Sequence, residues 1–382
     1  MKAVIVTFVR AYNYGAVLQC YALQKKLHDI GIDADVLDYY PPYFFDKYNA
    51  NIQVKKALIP YKPLKKWIRN TITSLLKKRR AQQFEQFIRD NISLSSKQYN
   101  DAERLSGAEL PYDTFIVGSD QVWNSSINRL DPVYFLDFKC PERHLKLSYS
   151  ASFGFETIPV ELIEKYRKWL SGWDAYSVRE SSGASIIQNL LGKEAVVCCD
   201  PTLLLERAEW AALCKNKRKK ESYVLGYYVN TAEIMSLEEA KKIAVERGVG
   251  FLCMTSITSF RDISGIRVRA AGGKMMALAS PIDFVTMINN AECVVTDSYH
   301  GMIFSLLFHK RVFLKLYNSE GKPNERMMEL INQLELDCSE ERNGFFDICK
   351  GIDWIRLDRL LSLYRKQSID YLMRFTEFEK NH

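Results

Sequence analysis

KAVIVTFVRAYNYGAVLQCYALQKKLHDIGIDADVLDYY, residues 2–40, decides the fold. KAVIVTF is a compact apolar run rich in β-branched residues. AVLQCYALQKKLHDI places its apolar residues at helical spacing and stops at Gly31, a C-cap candidate, and DADVLDYY is a second strand-like run. Strand, helix and strand in so short a span form a βαβ unit, which implies a parallel sheet.

Past this unit the rhythm breaks. PPYFF and a basic region lead to a predicted helix, KKRRAQQFEQFIRDN, so residues 41–110 read as an excursion on the first domain. Strand-like runs return at YDTFIVGS, KLSYSASFG, DAYSVRE and EAVVCCDPTLLL, separated by helical stretches such as VELIEKYRKWLSGW. The charged stretch KNKRKKES, residues 215–222, is the best boundary. Beyond it a second alternation runs SYVLGYYV, LEEAKKIAVERG, GFLCMTS, PIDFVTMINNA, ECVVTDS, HGMIFSLLFH and RVFLKLY. After RMMELINQLEL, a last helical pattern starting at Ile352 is long enough to pack back across the first domain. The pattern predicts two α/β, Rossmann-like domains, 1–215 and 222–350, facing a cleft, with 351–382 as a helix crossing back.

Composition agrees. A chain of 382 residues exceeds one hydrophobic core, and 47% hydrophobic with 26% charged residues is the balance of a folded globular protein. No 18-residue uncharged apolar run occurs, so a membrane span is not expected. The N-terminus lacks a small-residue cleavage site and reads as a first strand, which predicts a cytoplasmic protein. Nine cysteines are scattered through apolar runs without metal-ligand spacing, so reduced core thiols and no metal are expected. The net charge of +7 is concentrated between Lys55 and Arg80. That segment is either a solvated basic face or a surface for an anionic partner such as the inner face of a membrane. No nucleic-acid partner is expected.

In such a fold ligands lie at the carboxyl ends of parallel strands, where helix N-termini favour anions. The junctions are therefore the places to search. Asn13 and Gly15 stand between the first strand and its helix, as turn residues or as a close backbone approach to a ligand. VGSDQVWNSS, residues 117–126, gathers Ser119, Asp120 and Asn124 beside Trp123, either a polar cleft with a stacking face or a helix cap. SYSASFG, with Ser152, can line a cleft floor. In YSVRESSG, Arg179 ends an apolar strand, where a guanidinium fork can hold a carboxylate or phosphate, or pair with Glu180. In CCDPTLLL, Asp200 and Pro201 stop a strand and are assigned no chemistry. In AECVVTDSYHGMIFSLLF a histidine, His300, stands at the mouth of the second domain. His28, His144, His309 and His382 have no comparable junction.

Taken in order, NYGAVLQCYAL, VGSDQVWN, SYSASFG, SVRE, DPTLLL and FVTMINNAECVVTDSYHGMIFSLLF resemble the polysaccharide pyruvyl transferase family over nearly the whole chain. The resemblance implies a GT-B-like architecture, phosphoenolpyruvate as co-substrate without a further cofactor, and a sugar, oligosaccharide or lipid-linked glycan as acceptor. The expected product is a pyruvyl ketal on a cell-surface polysaccharide precursor. By motif it assigns donor binding to Arg179 and makes His300 the general acid, with Ser298 and Gly301 at the same helix start. Some members carry an arginine two residues before the histidine, where this chain has Ser298. A second cation then comes from elsewhere, and Lys315, Lys322 and Arg326 are the candidates. Asp120 and Asn124 are expected on the acceptor. Two rivals share the pattern: a nucleotide-sugar glycosyltransferase, and a non-catalytic glycan- or anion-binding relative.

Overall fold

A computed structural model describes residues 2–44, 64–141, 144–214, 221–229, 234–255, 265–316, 324–338, 341–342 and 344–375. Strand β1 (Lys2–Val6) leads into helix α1 (Tyr14–Asp29) and strand β2 (Asp33–Val36), and Gly31 takes the left-handed conformation, φ 84°, that ends the helix turn. The excursion becomes one long helix, α2 (Leu64–Asn91). Strands β3 (Thr114–Asp120), β4 (Leu145–Ala151), β5 (Ser177–Val178) and β6 (Val196–Val197) follow, with helices α3 (Ile163–Leu170) and α4 (Ser181–Leu191) between them. They form a six-stranded sheet, order β2-β1-β3-β4-β5-β6, parallel throughout.

The second sheet uses β7 (Tyr223–Tyr228), β8 (Gly250–Thr255), β9 (Lys274–Met275), β10 (Cys293–Thr296) and β11 (Arg311–Lys315), all parallel. Helices α5 (Ile234–Glu246), α6 (Pro281–Asn290), α7 (Tyr299–Leu307) and α8 (Asn324–Gln333) accompany them. One edge departs from the expected parallel pattern: β12 (Glu341–Arg342) and β13 (Phe345–Asp347) add antiparallel strands, giving β12-β13-β11-β10-β7-β8-β9. These segments are two and three residues long, too short for a period to show.

Helix α9 (Trp354–Met373) packs back on the first domain as expected. Its Ser368 hydroxyl accepts the Cys199 amide at 2.9 Å, Tyr371 donates to the Ser148 carbonyl at 2.9 Å, and Arg365 donates to the Leu203 carbonyl at 2.8 Å. Among the described residues, no helix is long and apolar enough to cross a membrane.

An aromatic cluster joins the domains. Tyr14 stacks on Phe284 at 4.7 Å, meets Phe84 at 5.2 Å and Tyr227 at 5.8 Å, and donates its hydroxyl to the Ala279 carbonyl at 2.9 Å. Such ring pairs add about 0.5–1.5 kcal/mol each beyond their buried area. The start of α1 is thereby fixed against the second domain. Arg80, counted by sequence in the basic surface, is instead buried: it lies 4.7 Å over Tyr14 and donates to the Thr255 carbonyl at 3.3 Å. Lys78 and Arg79 remain exposed.

Candidate active site

Each sheet changes winding direction once, β1 against β3 in the first and β7 against β10 in the second. A crevice opens at such a point beyond the strand ends. The first switch point carries the start of α1 and the end of β3; the second carries the start of α7. The two face each other.

Helix α1 begins where the Asn13 side chain accepts the Gly15 amide at 2.9 Å. Helix α7 begins where Ser298 accepts the Gly301 amide at 3.3 Å. Just before it, the Thr296 hydroxyl donates to the Tyr227 carbonyl at 2.6 Å and accepts the Ser298 amide at 3.0 Å. All of α7 is buried, so His300 in its first turn is held by a rigid core element. The ring lies directly on Gly15: a Cβ there would fall well inside contact distance of its Nδ1. The close approach expected at Gly301 has a different object, since a Cβ on Gly301 would meet the Thr296 hydroxyl at 2.6 Å. Gly301 lets the helix pack on its own strand, and Gly15 lets the two domains meet at the imidazole.

Nε2 of His300 is 3.3 Å from Oδ2 of Asp200, near it but off the line of a hydrogen bond. Asp200 has no exposed surface. Its Oδ1 accepts the Thr202 amide at 3.0 Å and hydroxyl at 2.7 Å, and its Oδ2 lies 3.2 Å from Nη1 of Arg179 and 3.5 Å from the Ser119 hydroxyl. Burial alone would raise its pKa, but His300, Arg179 and Thr202 outweigh that and hold the carboxyl well below its usual range. Asp200 is therefore an anion tying Arg179 of the first domain to His300 of the second, a role its place in a strand-ending Asp-Pro-Thr did not reveal.

Arg179 is 3% exposed. Its Nε donates to Oε1 of Glu180 at 2.8 Å, the same oxygen that accepts the Ser152 hydroxyl at 3.0 Å. Its Nη1 faces Asp200 and, at 3.9 Å, Asp120. Both the pairing with Glu180 and the cleft position anticipated for Arg179 thus occur together, in the interior. The two-pronged fork expected to grip a ligand is already engaged, and Nη2 alone is left without a partner. Burial opposes the charge, but Glu180, Tyr299, Asp200 and Asp120 raise the guanidinium pKa and keep it ionised. Asp120 ends β3 in the left-handed region at φ 72° and accepts the Gln121 amide at 2.9 Å, a turn that brings its carboxylate towards Arg179.

Tyr299 lies between His300 and the cations. Its ring is 5.5 Å from the imidazole, and the guanidinium carbons of Arg179 and Arg326 stand 5.0 Å and 5.4 Å from its centre. Arg326 arrives on α8, anchored one turn later, where the Glu329 carboxylate accepts the Ser181 amide at the start of α4.

Other expectations are relocated. Trp123 offers no stacking face: it is fully buried, donating to the Tyr134 carbonyl at 3.1 Å beside Phe153 and Trp173. Asn124 is a helix cap, accepting the Ser126 amide at 3.0 Å, with its amide on Gln121 at 2.7 Å. Lys315 covers the Phe345 ring at 5.1 Å rather than joining Arg179. Lys322 lies outside the described residues. Cys198 and Cys199 adjoin Asp200, but burial pushes their thiols up to about 12 and about 11, so neither is a thiolate nucleophile at neutral pH. On the first-domain side, a depression of about 400 Å³ is lined by Tyr12, Tyr40, Lys78, Gln82, Glu85 and Gln98 among others.

A sequence profile of polysaccharide pyruvyl transferases matches residues 13–319. No curated protein matches the chain in sequence. Among solved structures, a protein described as UDP-N-acetylglucosamine 2-epimerase from Listeria monocytogenes superposes with TM-score 0.52 at 12% identity, covering 100% of this chain and 97% of its own. S. aureus MnaA, solved with UDP, gives 0.49 at 13% identity, covering 100% and 97%. E. coli heptosyltransferase WaaC, solved with ADP, gives 0.39 at 13%, covering 82% and 86%. The Listeria likeness shows the fold, two parallel-sheet domains of the GT-B type.

Proposed function

The chain belongs to the polysaccharide pyruvyl transferase family, and from that premise we propose that it transfers the pyruvyl group of phosphoenolpyruvate to two hydroxyls of one sugar residue in a glycan acceptor. The observation that carries this reading is the interdomain cluster of His300, Asp200 and Arg179, in which a buried carboxylate stands 3.3 Å from the imidazole and 3.2 Å from a buried guanidinium, beyond the ends of parallel strands.

The reaction needs a proton on the methylene carbon of the donor, which turns the carbon bearing the enol phosphate into an oxocarbenium-like centre. One sugar hydroxyl adds there and loses its proton. The carbon–oxygen bond to phosphate then breaks, the phosphate leaves with both bonding electrons, and the second hydroxyl closes the ketal; of the two hydroxyl protons, one restores the acid and the other goes to the departing phosphate. The sum is donor plus diol giving ketal plus inorganic phosphate. His300 supplies the first proton, a step in which a placed imidazole contributes about 10² to 10⁴ in rate. Asp200, 3.3 Å from Nε2, sets its negative charge beside the ring. Arg179, locked by Glu180 and Asp200, presents its Nη2 to the donor anion. Asp120, also at the strand end, takes a proton from an acceptor hydroxyl. The depression beside Tyr12 and Tyr40 combines aromatic rings and amides with the charged Arg10, Lys78 and Glu85, lining suited to the rest of a glycan.

Calorimetry with phosphoenolpyruvate against UDP- and GDP-sugars, followed by phosphate release with candidate glycans, tests the reading. Binding of phosphoenolpyruvate and a drop of 10² or more in phosphate release in His300→Ala are expected. Tight nucleotide-sugar binding with no response to phosphoenolpyruvate overturns it.

A further inference from the structure

Three buried side-chain nitrogens around Tyr299 have no hydrogen-bond partner among the described residues: Nη2 of Arg179, Nε2 of His300 and Nε of Arg326. Buried polar nitrogens left unmatched are costly, more so when charged, so their gathering at one place calls for a physical reason. Arg179 and His300 have Asp200 beside them. Arg326 differs. Among the described residues its guanidinium makes no hydrogen bond and no ion pair, only the contact with the Tyr299 face.

That is an unfavourable place for a cation. Burial first, and then the neighbouring charge of Arg179, lower the pKa of Arg326, with Glu180 and Asp120 compensating only in part. The contact with an aromatic face returns only part of that cost. The fold nevertheless holds Arg326 there, because Glu329, three residues on, ties α8 to the Ser181 amide two residues after Arg179. Two cations from two domains are brought around one ring, each with a nitrogen unspent.

We infer that Arg326 is the second anion-binding cation of the site, and that the phosphate of the donor bridges Nη2 of Arg179 and Nε of Arg326 across the domain boundary. The identity of the donor rests on the pyruvyl-transfer reading; the anion site does not. A phosphate fits better than a carboxylate. The flat fork that matches a carboxylate is already spent on Glu180 and Asp200, whereas a tetrahedral phosphate presents oxygens in different directions to donors on separate side chains. The arrangement also answers why Ser298 needs no positive charge: it caps α7, and the cation enters from α8 instead. Because one cation belongs to each domain, the bridging anion ties the domains together.

The test compares wild type, Arg326→Met and Arg326→Lys, measuring dissociation constants for inorganic phosphate and phosphoenolpyruvate by calorimetry and melting temperature with and without phosphate. Arg326→Met is expected to weaken both anions roughly 10- to 100-fold, the range for a lost hydrogen bond to a charged group, and Arg326→Lys to restore part of it. Without anion, Arg326→Met melts no lower than wild type, because it removes a buried like charge. A purely structural arginine would give the reverse, a lower melting temperature and unchanged anion affinity, which overturns the inference. Phosphate binding by wild type that Arg326→Met leaves unchanged also overturns it and leaves pyruvyl transfer standing. Wild type that takes phosphate but not phosphoenolpyruvate sinks the pyruvyl reading and keeps the anion site. Wild type that takes neither rejects both.

Discussion

Asp200 shows how one carboxylate serves two ends of the same problem. Its Oδ1 closes the local turn on Thr202, and its Oδ2 meets Arg179 and His300. Removing the charge leaves a buried guanidinium short of an acid, so Asp200→Asn should lower stability at pH 7 by about 3–5 kcal/mol. The pH dependence has a definite sign. The folded-state pKa is depressed, so this stability is fully present above the unfolded carboxyl value of about 4 and is lost as pH falls towards the folded value. Urea unfolding at a series of pH values should therefore show the gap between wild type and Asp200→Asn closing below about pH 4; a gap that stays constant on acidification contradicts the assignment. Legibility at this scale followed chemistry. An arginine or histidine at the end of an apolar strand has few apolar uses, so Arg179 and His300 stood out. Asp-Pro-Thr after a strand looks like a turn, and it is one. Only the local half of the Asp200 role is written in neighbouring residues; the other half depends on Arg179, 21 residues earlier, and on His300 of the other domain.

The elements at the site are two helix starts that touch. Asn13 and Ser298 cap α1 and α7, and the absence of a side chain at Gly15 lets the His300 ring rest on the first turn of α1. Alanine is a better helix former than glycine by about 1 kcal/mol, so Gly15→Ala should favour α1 itself while pushing the imidazole away. A displacement near 1 Å can cost about 10² in rate. Phosphate release should fall by that order in Gly15→Ala, with the far-UV spectrum and helix content retained; full activity would show that the ring does not work from this position. The helices were legible because their caps and apolar spacing are local. Strands β5 and β6 were read longer than the two residues each forms. Apolar runs such as EAVVCCDP continue past the point where pairing ends: Cys198 still donates its amide to the Val178 carbonyl of β5 at 2.9 Å, but the Cys199 amide turns to Ser368 of α9.

For the whole molecule, alternating strands and helices disclosed two parallel sheets and a helix returning to the first domain. The docking of the domains was not legible. It rests on Tyr14 meeting Phe284 and Tyr227, rings 270 and 213 positions away in sequence, and no local pattern pairs such distant residues. The returning helix α9 bonds the amide of Cys199, the residue before Asp200. Ending the chain at Asp353 should therefore abolish activity and uncover apolar surface. Dye binding and loss of phosphate release in this truncation check the expectation; a fully active truncated protein would mean that α9 does not hold the site. The same bond sets an order in time. Cys199 must wait for Ser368, 169 residues later in synthesis, and at about 5–20 residues per second that is a delay on the order of 10 s. During it the first domain is translated but the Cys199 amide lacks the partner that α9 supplies. Completion of the site is thus tied to the synthesis of α9, and a slowed codon in that region would lengthen the delay without altering a single residue of the mature site.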